Sequence, residues 1–165
     1  MKGTGRVGRR SDAPHRVPLR SSVLAPNFER LMTLPGENKP WPTPMVLLDD
    51  ALTFFWSALD ELRGKEALLR AHVERRRLLH QGPQERDYPK RRSNTVPLNG
   101  TISAENDARL RASVGVGKTW PTAGELLDDA LDLFWDLMQR MEEQRRIFLS
   151  ILTADVRGTI LAAKK

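Results

Sequence analysis

Between residues 17 and 23 the chain alternates, with Val17, Leu19 and Val23 on one parity, and the same alternation returns at Val96, Leu98 and Ile102. A period of two predicts a β-strand with one face turned inward. Pro18 and Pro97 interrupt these runs and cannot donate to a central ladder, so each strand is expected at an edge, as in a ribbon of only two strands. The spacing then changes. Pro26 to Leu34, with Phe28 and Leu31, and Glu105 to Val114, with Leu110 and Val114, each predict a short amphipathic helix, ended by Pro35-Gly36 or Gly115-Val116-Gly117.

A second, longer helix carries the clearest marks. Thr43 is an N-cap with Pro44 in the first helical position, and Thr122 with Glu125 forms a capping box. Leu47, Ala51, Phe54, Phe55, Ala58 and Leu62 then follow at helical spacing, as do Leu126, Ala130, Leu133, Phe134, Leu137 and Met141. Both stripes predict core. The helical pattern runs on through Leu68, Leu69 and Val73, and through Ile147, Phe148 and Leu152, broken only in the first case by Gly64. From Gln81 to Asn94 the chain holds Gly82, Pro83, Pro89 and the basic run Lys90-Arg91-Arg92, which predicts a linker.

These parallels come from an internal repeat. Val17-Pro18-Leu19 recurs as Val96-Pro97-Leu98, an offset of 79 residues (from 17 to 96), and the offset holds without a gap. It maps Ala25, Asn27, Arg30 and Leu31 onto Ala104, Asn106, Arg109 and Leu110. Trp41-Pro42-Thr43 returns as Trp120-Pro121-Thr122, Leu47 to Leu52 as Leu126 to Leu131, and Phe55-Trp56 as Phe134-Trp135. An ungapped repeat keeps every element length, and two copies are too few for a solenoid, so a closed pair is expected. The expected layout is a basic arm over 1–15, a first repeat with its helical extension over 16–80, a linker over 81–94, a second repeat with extension over 95–153 and a tail over 154–165.

Composition narrows the function. A chain of 165 residues, 39% hydrophobic, suffices for one modest core and excludes a large multi-domain enzyme. Its net charge of +6 favours an anionic partner. With no cysteine, disulfides, thiol catalysis and thiolate metal sites are excluded. His15, His72 and His80 lack metal-ligand spacing, so neither metal nor cofactor is expected. No run approaches the roughly 20 apolar residues of a membrane span, and Met1 to Arg10 does not resemble a secretory signal; a soluble cytoplasmic protein is expected. Ala112 to Thr119 satisfies a loose P-loop pattern, but it follows a helical, Arg-rich segment and leads into Trp120-Pro121, not from a buried strand into a helix. Asp49-Asp50 and Asp128-Asp129 cannot converge on one substrate, because adjacent helix residues diverge by about 100°. They are expected on a solvated face or beside arginines. No nucleophile and base stand paired, so an enzyme is not expected.

Strand, short helix, turn and capped helix resemble one half of the ribbon-helix-helix (Arc/MetJ-type) DNA-binding superfamily over residues 17–62 and 96–141. The most family-like stretches are Leu47 to Trp56 and Leu126 to Trp135. The resemblance implies a mainly α fold with a two-stranded antiparallel β-ribbon, closed as an intramolecular pseudo-dimer in a monomeric chain that can assemble further on DNA. Its tandem layout is similar to that of accessory proteins of plasmid conjugation and T-DNA transfer. In such a fold the ribbon enters the major groove and its outward side chains read bases. With Val17 and Leu19 inward, the outward candidates are Arg20, Ser22, Asn99 and Thr101. Polar residues outside a half-buried strand are also common without any such role. Thr43 and Thr122, at helix N-termini, with Lys39 and Lys118 just upstream, are the phosphate candidates, although both threonines cap in any case. The arm from Lys2 to Arg20 and the run Lys90-Arg91-Arg92 add backbone affinity or are simply solvated. Trp41 and Trp120 either wedge against the core or stack on bases.

The expected function is therefore site-specific binding of double-stranded DNA, as a repressor or as an accessory factor in plasmid or T-DNA transfer. Two rivals remain. One is an antitoxin-type protein whose extension, Lys65 to Leu79 or the segment from Arg145, grips a protein such as a relaxase or toxin; an exposed apolar patch there favours it. The other is a helical scaffold, which requires residues 17–23 and 96–102 not to pair as strands.

Overall fold

A computed structural model describes residues 15–80 and 94–162. The basic arm before residue 15, the run Lys90-Arg91-Arg92 and the last three residues lie outside the described residues. The two alternating segments form strands β1 (Arg16–Leu24) and β2 (Thr95–Ser103), paired antiparallel as a two-stranded sheet. Leu19, Val23, Leu98 and Ile102 are buried on the inner face, as the parity requires. Pro18 lies opposite Thr101 and Pro97 opposite Ser22. In a ribbon each strand has one unpaired edge, which tolerates a residue without an N–H.

The register preserves the repeat. Arg20 pairs with Asn99, its own counterpart at the offset of 79, and pairings on either side of that rung match one another, as Leu19 with Gly100 and Ser21 with Leu98 do. Each strand runs directly into a helix, α1 (Ala25–Thr33) or α4 (Ala104–Ser113). The junctions continue the ladder, since the Ala25 amide donates to the Asn94 carbonyl at 2.9 Å and the Ala104 amide to the His15 carbonyl at 3.0 Å.

Helices α2 (Pro44–Glu61) and α5 (Ala123–Ala162) pack on one another beneath the ribbon. Their buried sets are wider than one stripe: Leu48, Leu52, Trp56 and Leu59 join Leu47, Ala51 and Phe55, while Phe54 and Leu62 are only half-buried. On α5, Leu127, Leu131 and Trp135 join Leu126, Ala130 and Phe134. Met141, expected in the core, is exposed because α5 has by then run past the other elements. Helix α2 ends on left-handed residues, Arg63 at φ 52° and Gly64 at φ 70°, with the Gly64 amide donating to the Leu59 carbonyl at 3.0 Å. The chain then turns into α3 (Glu66–His80), which packs back on α5 and buries Leu69 and Val73. The second copy has Glu142-Glu143 at the positions of Arg63-Gly64 and does not break. Helix α5 therefore runs unbroken for 40 residues, through the segment expected to begin a tail.

Two buried polar groups lock one repeat to the other. Asp128 Oδ1 accepts from the Leu24 amide at 2.9 Å and from Asn27 Nδ2 at 3.0 Å, while Asn27 Oδ1 accepts from Trp135 Nε1 at 2.9 Å. The counterpart is complete: Asp49 Oδ1 accepts from the Ser103 amide and Asn106 Nδ2, both at 2.9 Å, and Asn106 Oδ1 from Trp56 Nε1 at 3.0 Å. In each set the Asp and Trp come from one copy and the strand end and Asn from the other. The expectation that these aspartates face solvent or arginines fails for Asp128, which is buried. At Asp49 it holds in part, because Arg16 pairs with its other oxygen at 2.8 Å.

Burial pushes the Asp128 carboxyl up to about 6, against the opposing hydrogen bonds from Asn27 and Leu24. Asp129 is raised too, again by burial, with Trp120 and Arg77 opposing. A carboxyl raised above its unfolded value of 3.8 stabilises the fold in its protonated form, so that contribution is full below about pH 4 and lost as pH rises through about 6. Asp60, held low by its hydrogen bond from Arg109, and Asp136, where burial is outweighed by Arg76 and Arg140, act in the opposite direction and below that window. Urea denaturation at stepped pH should therefore show stability falling between pH 4 and 6 by on the order of 3 kcal/mol. Asp128→Asn, which keeps an acceptor for the Leu24 amide, should flatten most of that slope; an unchanged slope would mean the carboxyl is ionised in its buried position.

Candidate functional site

The outer face of the ribbon gathers the four side chains that parity selected. Arg20, Asn99 and Thr101 are exposed and Ser22 is half-buried, all on alternate positions facing away from the core. Arg20 and Asn99 form the central rung. Among the described residues the side chains of Arg20, Ser22 and Asn99 make no hydrogen bond or ion pair, so their donors and acceptors stay available to a ligand. Thr101 differs: its hydroxyl accepts from Arg16 Nε at 3.1 Å. Arg16, a residue the motif reading passed over, thus stands beside Thr101 while its guanidinium holds Asp49. Its signal was available, since Arg16 shares the parity of Arg20.

Helix starts flank the ribbon, and two contacts fix them there. A Cβ on Gly124, in the first turn of α5, would collide with the Ser22 carbonyl oxygen, and one on Gly100 would collide with Met45 in the first turn of α2. Gly124 is the counterpart of Met45 and Gly100 of Ser21 at the offset of 79. The two contacts are therefore the same contact with its bulk exchanged. Thr43 Oγ1 accepts from the Val46 amide at 3.3 Å and Thr122 Oγ1 from the Glu125 amide at 3.4 Å, so both threonines cap as expected.

Lys39 and Lys118 stand on matching loops off the ribbon. In each, the glycine amide donates to the tryptophan carbonyl, Gly36 to Trp41 and Gly115 to Trp120, both at 3.0 Å. Each loop also has a left-handed residue at the same place, Asn38 at φ 62° and Gly117 at φ 77°. The lysines part company here. Both are exposed, but Lys118 Nζ donates to the Ala112 carbonyl at the end of α4, whereas the Lys39 ammonium makes no hydrogen bond or ion pair among the described residues.

The tryptophans before the helices do not serve as bare stacking platforms. Trp120 is fully buried against Phe55, at 5.5 Å between ring centroids, and its Nε1 donates to Asp129 at 2.8 Å. Trp41, half-buried against Phe134 at 5.8 Å, donates to Asp50 at 2.7 Å. Of the two expectations for these rings, packing against the core is the one seen, and the sequence reading missed their bonds to the second aspartate of each pair. It missed Asn27 and Asn106 as well, although both stand inside the repeat.

Comparison of the chain with protein-family models, curated proteins and solved structures gives no significant match in any of the three. Among the described residues, no helix is long and apolar enough to cross a membrane.

The Gly124 contact is directly testable. Gly124→Ala must push the ribbon away from α5 or distort the helix start, and should cost about 1–3 kcal/mol in chemical denaturation. Ser22→Ala removes no backbone atom at that contact and should leave stability nearly unchanged.

Proposed function

We propose that the protein binds double-stranded DNA, with the β1–β2 ribbon in the major groove and the two repeats acting as an intramolecular ribbon-helix-helix pseudo-dimer. The observation that carries the reading is the central rung, where Arg20 and Asn99 lie side by side, exposed and without side-chain partners among the described residues, with Ser22 and Thr101 on the same face. A two-stranded ribbon fits the major groove, where Arg makes bidentate contacts to guanine and Asn to adenine. Because counterpart positions carry Arg and Asn, or Ser and Thr, the two half-sites would differ. The capped helix starts at Thr43 and Thr122 lie against the ribbon and suit phosphates, which position the protein without specifying sequence. Lys39 is better placed to join them than Lys118, which is engaged with Ala112.

Such a protein would act as a repressor or as an accessory factor in plasmid or T-DNA transfer, and the contact chemistry is common to both. A second reading, with a relaxase or toxin as the main partner, draws on the exposed Leu68, Leu78 and Leu79 of α3 and on Ile147, Leu149, Ile151 and Leu152 of α5.

Duplex affinity should fall steeply with salt, as counterion release requires. Arg20→Ala and Asn99→Ala should each cost about 1–3 kcal/mol on a selected duplex and relax preference at one base position, while Lys39→Ala should weaken all sequences alike. The measurement is a salt titration against selected and random duplexes. Wild-type protein without duplex affinity at low salt would end the reading and leave the protein-partner one.

A further inference from the structure

Helix α3, the extension of the first copy, covers a defined seat on α5. Its Leu69 and Val73 are 3% and 2% exposed, Arg76 pairs with Asp136, and Arg77 pairs with Asp132 and, at 2.9 Å, with Asp129. Arg70 donates to the Thr119 carbonyl beside Trp120. The seat is thus the Trp120–Asp129 pair followed along α5 by Asp132, Leu133 and Asp136.

At the offset of 79 this seat has a counterpart on the first copy: Trp41, Asp50, Thr53, Phe54 and Ser57. The Trp41–Asp50 hydrogen bond is made there as well, at 2.7 Å against 2.8 Å. Nothing among the described residues sits on it. Asp50, Thr53 and Ser57 are exposed, and Trp41 is half-buried where Trp120 is fully buried. The counterpart of the cover exists too. Leu69 and Val73, which cover the seat, correspond to Phe148 and Leu152, in the C-terminal half of α5, and Leu152 is 47% exposed where Val73 is 2%. Ile147, Leu149 and Ile151 are exposed beside it.

One molecule therefore holds a cover without a seat and a seat without a cover. They cannot meet within the chain while α5 is unbroken, because Glu142-Glu143 replaces the left-handed Arg63-Gly64 turn that folds α3 back. A helix of 40 residues is about 60 Å long and carries its last turns past the core. Leu152 stands about five helical turns after Phe134 and so continues the face by which α5 packs in the core.

We propose that the chain self-associates by reciprocal exchange: the C-terminal half of α5 in one copy lies on the Trp41–Asp50–Phe54 face of α2 in a second copy, and vice versa. Exchange of an identical element closes a two-fold dimer and buries both orphaned surfaces. The proposal is independent of DNA binding.

Sedimentation equilibrium and light scattering on the full chain without DNA test it. Wild type should be a dimer in the micromolar range. Leu149→Glu with Leu152→Glu, both exposed and at the positions of Arg70 and Val73, should weaken the dimer about tenfold or more, because docking would bury unpaired carboxylates. Thr53→Arg with Ser57→Arg, exposed on the seat, should do the same, and circular dichroism should stay unchanged for both variants. Mixing the two variants should restore association in part, since one intact cover then meets one intact seat. A monomeric wild type overturns the proposal, whether or not α5 captures some other protein. So does a dimer that the α5 substitutions break and the seat substitutions leave intact, which would indicate pairing of α5 with α5.

Discussion

The two Asp–Asn–Trp sets at the junctions between strand and first helix hold the molecule in its arrangement. Where β1 turns into α1 the Leu24 amide has no ladder partner, and an orphaned buried amide costs roughly 1–3 kcal/mol. Asp128 supplies the acceptor from the other copy, and Asn27, which donates to the same carboxylate, passes the constraint on to Trp135. Asp49, Asn106 and Trp56 do this at the opposite end of the ribbon. Because each set spans both copies, sliding one strand by a single residue would pull its end from the carboxylate that holds it and turn its inner pair, Leu19 and Val23 or Leu98 and Ile102, outward. The outward positions of Arg20 and Asn99 thus follow from buried bonds at the ends of the ribbon.

Local pattern made the elements legible. Strand parity, the prolines, the caps at Thr43 and Thr122 and the breaks after α1 and α4 are all written within a few residues, and each element but α5, which runs on through the expected tail, forms within about two residues of its expected span. What sequence could not give was the second burial on α2 and α5. Leu48, Leu52 and Trp56 fall outside a single helical stripe, and they are core because those helices are covered on more than one side. Asp128 was misjudged for a related reason. Its repeat partner Asp49 meets Arg16, while the residue at the counterpart position of that arginine is Thr95, which carries no charge, so one motif lies in two electrostatic settings.

The outer-face residues were found by counting alone, since alternation fixes which side chains point away once the inner ones are known. Counting does not reveal which of them are already engaged. Thr101 is held by Arg16, and Lys118 by the end of α4, whereas their counterparts Ser22 and Lys39 are not so held. Those differences arise from residues outside the repeated motifs, and only the fold brings them together.

Joining two copies in one chain also removes a restriction that identical subunits obey. In a homodimer every contact across the axis occurs twice with the same residues, so neither side can change alone. Here the ribbon-to-helix contact is made once by Ser21-Ser22 against Gly124 and once by Gly100 against Met45, each large group facing a small one. Two glycines would leave a void and two large residues would clash, so each change is tolerated only because its partner changed in the same copy-to-copy contact. The extensions diverged in the same way: a left-handed Arg63-Gly64 lets one fold back, and Glu142-Glu143 keeps the other helical. A two-residue turn thus separates an apolar face covered within the chain from one presented outside it.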